Sequence, residues 1–278
     1  MNWIPLSLLS DIAEDINVYY SRQRITTPDV DISEDLLSIE LVRIIREVLL
    51  IPRAERDESK EGNGFNLTVQ AYKATGALER KHGDIAVVVS DIDRRIVGTG
   101  FYEAKLQSLD GHYPAFNVRQ IQKLESNTPR LAILMHEREE SLVSDNPYDR
   151  GLPGSDRYGY YMKGSLCTVL AASWARKFRH LHDATRQKRP YSFGHHFVTR
   201  YLLGADLDYS RSPAKAIAQW IRKTKRATPL VIDIRISTSG EGLLQYEPVL
   251  IPPGSPPLVL EALNKNEKLA EHEFIPII

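Results

Sequence analysis

His82-Gly83-Asp84-Ile85-Ala86-Val87-Val88-Val89-Ser90 and Ile96-Val97-Gly98-Thr99-Gly100-Phe101-Tyr102-Glu103-Ala104-Lys105-Leu106 are two runs rich in β-branched and apolar residues, separated by the polar Asp91-Ile92-Asp93-Arg94-Arg95. Such runs read as strands and the polar link as a tight turn. A pivot near Asp93 and Arg94 sets position 84 opposite 102 or 103, and directly opposed residues on paired strands project from the same face. Asp84 and Glu103 then share a face. Side chains alternate along a strand, so Lys105 joins them while Ala104 points the other way, where a small residue suits a covering helix.

Two carboxylates and an ammonium converging at a strand end are costly in an apolar sheet unless an ion or substrate compensates them. Mg²⁺ supplies that compensation: it takes one or two carboxylates, keeps several waters and accepts phosphate oxygens. A neighbouring lysine orients or deprotonates the attacking water and offsets charge on the phosphoryl group. The chemistry expected is hydrolytic phosphodiester cleavage with Mg²⁺, Mn²⁺ being a possible substitute.

Around the hairpin the sequence lays out further elements. Ile32 to Leu50 has apolar residues at helical spacing, with Ser33 or Asp35 as N-cap. Phe65 to Tyr72 reads as a first strand, Asn117 to Leu124 as a helix and Arg130 to Met135 as a strand. Arg53 to Gly64 reads as a loop, and Ser141 to Arg157, rich in Asp, Pro and Gly, ends the core sheet. Ser165 to Leu181 reads as helical, Ser210 to Arg226 as an amphipathic helix, Pro229 to Ile236 as a strand and Pro252 to Pro257 as a turn.

Asp84 with Glu103-Ala104-Lys105, set in this αβββαβ order, resembles the PD-(D/E)XK nuclease superfamily. Glu79-Arg80-Lys81-His82-Gly83-Asp84 and Gln120-Ile121-Gln122-Lys123-Leu124 resemble a branch of it acting in bacterial anti-phage defence. So do Asn127-Thr128-Pro129-Arg130-Leu131-Ala132-Ile133-Leu134 and Phe193-Gly194-His195-His196-Phe197 ahead of Tyr201-Leu202-Leu203-Gly204. The likeness covers about residues 30 to 205. Many of those relatives carry Gln in the third motif, whereas Glu103 keeps the acidic version. The resemblance implies an α/β, restriction-endonuclease-like core with a central mixed sheet flanked by helices over residues 31 to 205. A helical N-terminal extension (1 to 30) and a C-terminal α+β extension (206 to 278) would flank it. It also implies second-tier roles for Glu79 and Gln120, and a helical glutamate completing the metal site: Glu40, with Glu47 as the alternative.

Composition agrees with a globular protein: 278 residues, 42% hydrophobic and 26% charged, with a formal net charge of zero. One Cys excludes an internal disulfide, no apolar run is long enough to span a membrane, and the N-terminus does not read as a signal peptide, so a cytoplasmic enzyme is expected. The neutral total hides segregation. Residues 1 to 62 hold thirteen Asp/Glu and seven Lys/Arg, whereas 176 to 226 hold thirteen Lys/Arg and three Asp. The densest basic patches, Arg186, Lys188 and Arg189, then Arg222, Lys223, Lys225 and Arg226, serve either as a phosphate-binding face for nucleic acid or as solvated helix faces. The last forty residues are acidic and suit self-association or partner contact.

Other chemistries lack support. The His180/His182 and His195/His196 pairs have no Cys pair or His-Glu-x-x-His to make a zinc site. Cys167 lies in an apolar segment suited to a buried thiol, and neither Gly-x-Ser-x-Gly nor a P-loop is present. The sequence therefore points to a Mg²⁺-dependent endonuclease on DNA, with Asp84 and Glu103 as metal ligands and Lys105 at the water. RNA stays open, since nothing reads a 2′-hydroxyl. Homo-oligomerisation or a partner defence subunit such as a sensor or ATPase is expected to control it. The competing reading is a noncatalytic nucleic-acid-binding or scaffold subunit.

Overall fold

The computed structural model describes residues 6–26, 32–56, 65–91, 96–143, 163–181, 190–224, 231–238 and 243–251. The chain is α/β, built on one open mixed sheet flanked by helices. In chain order its elements are α1 (Leu6–Thr26), α2 (Glu34–Leu49), β1 (Arg53–Arg56), β2 (Phe65–Lys73), α3 (Ala77–His82), β3 (Ile85–Asp91), β4 (Ile96–Leu106), α4 (Val118–Asn127), β5 (Ala132–Val143), β6 (Lys163–Ala171) and α5 (Ala172–Ala175). There follow β7 (Tyr191–Ser192), α6 (Phe193–His196) running into a π-helical turn (Phe197–Leu202), α7 (Arg211–Thr224), β8 (Val231–Thr238) and β9 (Leu243–Ile251).

The strands lie in the order β1-β9-β8-β2-β3-β4-β5-β6-β7. All neighbours are antiparallel except β4 and β5, where Glu103 pairs with Ile133 and Lys105 with Met135. A parallel pair needs a crossover. Here α4 provides it, capped by Asn117, whose side chain accepts from the backbone of Arg119 and Gln120. The helix lays Ile121 and Leu124 onto the sheet.

Two apolar layers sandwich the central strands, because β3 buries both of its faces. Ile85, Val87 and Val89 pack with Tyr102 and Ala104 beneath α1 and α2, while Ala86 and Val88 pack with Phe101, Ile133 and Met135 beneath α4 and α7. Helix α2 starts where Ser33 Oγ accepts the Leu36 N–H at 3.1 Å, and Leu41, Ile44, Ile45 and Val48 form its buried stripe. In α1, Leu8, Ile12, Ile16 and Tyr20, spaced by four, enter the same layer. Each such side chain contributes about 1.5–3 kcal/mol by leaving water, so the N-terminal helix is a core element and no peripheral arm.

Several sequence expectations need correction. Ser165 to Leu181 is a strand followed by a short helix: β6 pairs along β5, from Ala132 with Ala171 to His136 with Cys167, and this cross-strand partner overrides a local run that suits either state. His82 and Gly83 belong to the end of α3 and its cap, not to β3. Part of the expected 53–64 loop is β1, paired with β9. β5 runs on to Val143, past the expected end of the core sheet. Strands β8 and β9 continue the sheet beyond β2 rather than standing apart from it. The turn at 92–95, the Pro-rich turn and the part of the acidic tail beyond Ile251 lie outside the described residues.

Candidate metal centre

Gly83 sets the site. Its φ of +123° is one that L side chains rarely adopt, and a Cβ there would lie 2.8 Å from the Tyr102 carbonyl oxygen. The close approach lets the Asp84 N–H donate to that oxygen at 2.7 Å. The β3–β4 ladder ends at Ile85 with Tyr102; Asp84 stands just before it, and its carboxylate reaches the backbone between Glu103 and Lys105 by accepting the Ala104 N–H.

Asp84, Glu103 and Lys105 are 5%, 3% and 3% exposed. Asp84 accepts the Ala104 N–H on one oxygen at 2.8 Å and the Lys73 ammonium on the other at 3.0 Å. Glu103 Oε1 accepts from Lys105 and from the Gln120 amide, both at 2.8 Å. Lys105 also donates to the Ala104 carbonyl at 2.6 Å and stands 3.7 Å from Glu34. Glu34 in turn accepts the Leu106 N–H at 3.1 Å. Gln120 and Asp35 are exposed, so the buried charges lie directly beneath a polar rim.

Lys73, Glu34 and Asp35 were missed in the sequence. Lys73 closes β2 opposite Ile85 and holds Asp35 at 2.8 Å, Asp84 at 3.0 Å and Glu79 at 3.9 Å. Asp35, Glu79 and Asp84 are the group of acids, among the described residues, whose ligand atoms lie close enough to share an ion. Glu79 also accepts the Gly76 N–H at 3.1 Å at the start of α3. Glu40 is not brought to this cluster: its carboxylate takes Arg43 at 2.7 Å, and Glu47 takes the same guanidinium at 2.9 Å. Those two acids lie one and more turns further along α2; the turn that reaches the strand ends carries Glu34 and Asp35. Acidic residues in a first turn read from sequence as capping and dipole groups, which is why their reach was not legible.

Five carboxylates therefore face two ammonium groups. Burial pushes Glu103 up to about 7; Lys105 pulls it down and the Asp84 charge raises it again. Glu34 is raised by burial, against the pull of Lys105, with Asp84 adding to the rise. Burial alone would lower Lys105, but Glu103, Glu34 and Asp84 outweigh it and hold the ammonium charged. Lys73 behaves likewise, with burial opposed by Asp35 and Asp84. Hard oxygen donors with excess negative charge fit Mg²⁺ or Mn²⁺, and Asp84 is the residue common to the expected ligand pair and the acid group.

The remaining expected sites are scattered or outside the described residues. Arg222 and Lys223 lie exposed in the last turn of α7, whose Trp220 donates to Thr75 Oγ1 at 3.2 Å, two residues along the chain from Lys73. Arg186, Lys188, Arg189, Lys225 and Arg226 lie outside the described residues. Among the described residues the histidines form no cluster: His82 pairs with Thr128, His136 with Tyr20 and His196 with Tyr102, and His182 lies outside the described residues. Cys167 is buried, and burial raises its thiol far above the ordinary value. No helix among the described residues is long and apolar enough to cross a membrane.

No family model, curated protein or solved structure matches this chain.

Proposed function

We propose that the protein is a Mg²⁺-dependent phosphodiester hydrolase acting on DNA. The observation that carries this reading is the Asp84 carboxylate held on the Ala104 N–H between Glu103 and Lys105, with Lys105 bonded to Glu103 and both carboxylates buried. Asp84 and Glu103 would hold the metal, with Asp35 and Glu79 at its edge; when bound, the ion supplies Lewis-acid polarisation of the phosphate and charge compensation. Lys105, kept as an ammonium by its acidic neighbours, orients the phosphate and stabilises the charge that develops on it, a role in charge and position rather than as a base. Gln120 fixes the orientation of Glu103 from the start of α4.

The resemblance to anti-phage nucleases extends this proposal to restriction of invading DNA, with activity under the control of a partner or of self-association. The test is plasmid cleavage by the purified protein in Mg²⁺, Mn²⁺ or EDTA, alongside Asp84→Ala and Lys105→Ala, with folding checked by circular dichroism. Metal-dependent nicking lost in both variants supports the hydrolase. DNA binding without cleavage in any metal assigns the protein to the noncatalytic scaffold class.

A further inference from the structure

The loop between Lys105 and Gln120 forms one wall of an open cleft. It is lined by His112, Tyr113, Pro114 and Phe116 on that loop and by Arg179 and His180 on the segment after α5, and it encloses about 470 Å³. That lies within the range of about 300–1,000 Å³ typical of small-ligand sites. Its aromatic wall is held rigidly. The Tyr113 hydroxyl donates to the Glu137 carboxylate of β5, which also accepts from Thr168 at 2.7 Å. Phe116 packs against the core, and its carbonyl-side neighbour Asn117 caps α4. The opposite lip is cationic and solvated: Arg179 and His180 are exposed, with no acid paired to either among the described residues.

We infer that this cleft binds one unpaired nucleotide of the substrate strand, its base against the part-exposed Phe116 over the buried Tyr113 and its phosphate against Arg179 and His180. The chemistry matches on both sides, since aromatic faces take any base by stacking and a guanidinium takes a phosphate oxygen pair. Position supports it. Phe116 lies four residues before Gln120, which bonds Glu103, and the loop leaves β4 just after Lys105. A base inside a duplex is already stacked and cannot enter, so the site selects single-stranded, frayed or splayed segments over intact duplex. This inference rests on the hydrolase reading only for its choice of nucleic acid as ligand.

The experiment measures binding of a single-stranded oligonucleotide containing 2-aminopurine, and of its blunt duplex, with the full-length protein in EDTA, where no cleavage is expected. Wild type, Phe116→Ala, Arg179→Glu and Asp84→Asn are compared, and plasmid cleavage is assayed separately in Mg²⁺ and Mn²⁺. Arg179 is exposed, so Arg179→Glu keeps the fold even where loss of Phe116 perturbs it. The single strand is expected to bind about 10-fold tighter than the duplex, with quenching of 2-aminopurine emission on binding. Phe116→Ala removes the quench, and Arg179→Glu weakens binding about 10-fold while flattening its salt dependence by about one ion. Equal binding and quenching by wild type, Phe116→Ala and Arg179→Glu would overturn the assignment. Cleavage with that result leaves the hydrolase standing and the cleft empty of a role; loss of binding in both cleft variants, without cleavage by wild type in any metal, leaves the cleft standing and removes the hydrolase.

Discussion

Replacing Glu103 by glutamine is expected to stabilise the metal-free fold while abolishing the proposed activity. Burial, with Asp84 beside it, lifts Glu103 from an ordinary 4.5 to about 7 even though Lys105 opposes the rise. A group whose folded pKa lies above its unfolded value contributes stability that is fully present below about pH 4.5 and is lost as pH rises through 7. Over that interval, at about 1.36 kcal/mol per pH unit, the ionised carboxylate costs the fold about 3 kcal/mol by pH 8. The attraction of Lys105 is already inside that figure. Glutamine keeps the side-chain shape and an oxygen to accept from Lys105, without the buried charge. For a chain of this length, about 3 kcal/mol corresponds to roughly 6 °C. The assay is thermal unfolding by circular dichroism in EDTA at pH 8 and at pH 4.5, then at pH 8 with Mg²⁺. The variant should melt roughly 6 °C above wild type at pH 8, and the gap should close at pH 4.5. Mg²⁺ should raise wild type more than the variant. A variant less stable than wild type at pH 8 by the same margin as at pH 4.5 would refute the reasoning, because Glu103 would then be a satisfied structural partner and not a charge awaiting a cation.

The ammonium of Lys73 stands among Asp35, Glu79 and Asp84, so Lys73→Met should lower metal-free stability by about 3 kcal/mol, the scale for breaking a buried ion pair. Mn²⁺ titration followed by thermal shift should then saturate at lower concentration than in wild type; a higher midpoint would contradict the placement. His82, His136 and His196 are buried and held neutral, burial pulling them down to about 4, 3 and 3. Their folded pKa values lie below the ordinary 6.5, so stability is intact above pH 6.5 and falls as pH drops, by about 4 kcal/mol per pH unit near pH 5 for the three together. A melting temperature flat from pH 7 to 5 would contradict this. Gly83→Ala forces a Cβ to 2.8 Å from the Tyr102 carbonyl at an unfavourable φ and should cost about 2–3 kcal/mol, with proportionate loss of any metal response read by the same thermal shift.

What could be read from the sequence was local. The β3–β4 register follows from period-two alternation about a short polar link, so Asp84, Glu103, Lys105 and the opposite-facing Ala104 could be placed from the chain alone. Ser33 as the cap of α2 and the α4 crossover were legible for the same reason: caps and amphipathic stripes are written within a few residues. Lys73, Glu34 and Asp35 were not. Lys73 reaches Asp84 because β2 pairs with β3 across α3, and the first turn of α2 meets the strand ends only once that helix docks on the sheet. The strand state of 163–171 depends on pairing with β5.

The sequence by itself thus determined which hairpin brings Asp84, Glu103 and Lys105 together, since alternation and turn chemistry act between neighbours along the chain. Only the tertiary structure decided the charge balance of the cluster. Burial, the Lys73 ammonium and the choice of Glu34 and Asp35 over Glu40 all arise from non-local docking, and desolvation, the largest influence on Glu103, exists only once the sheet is covered.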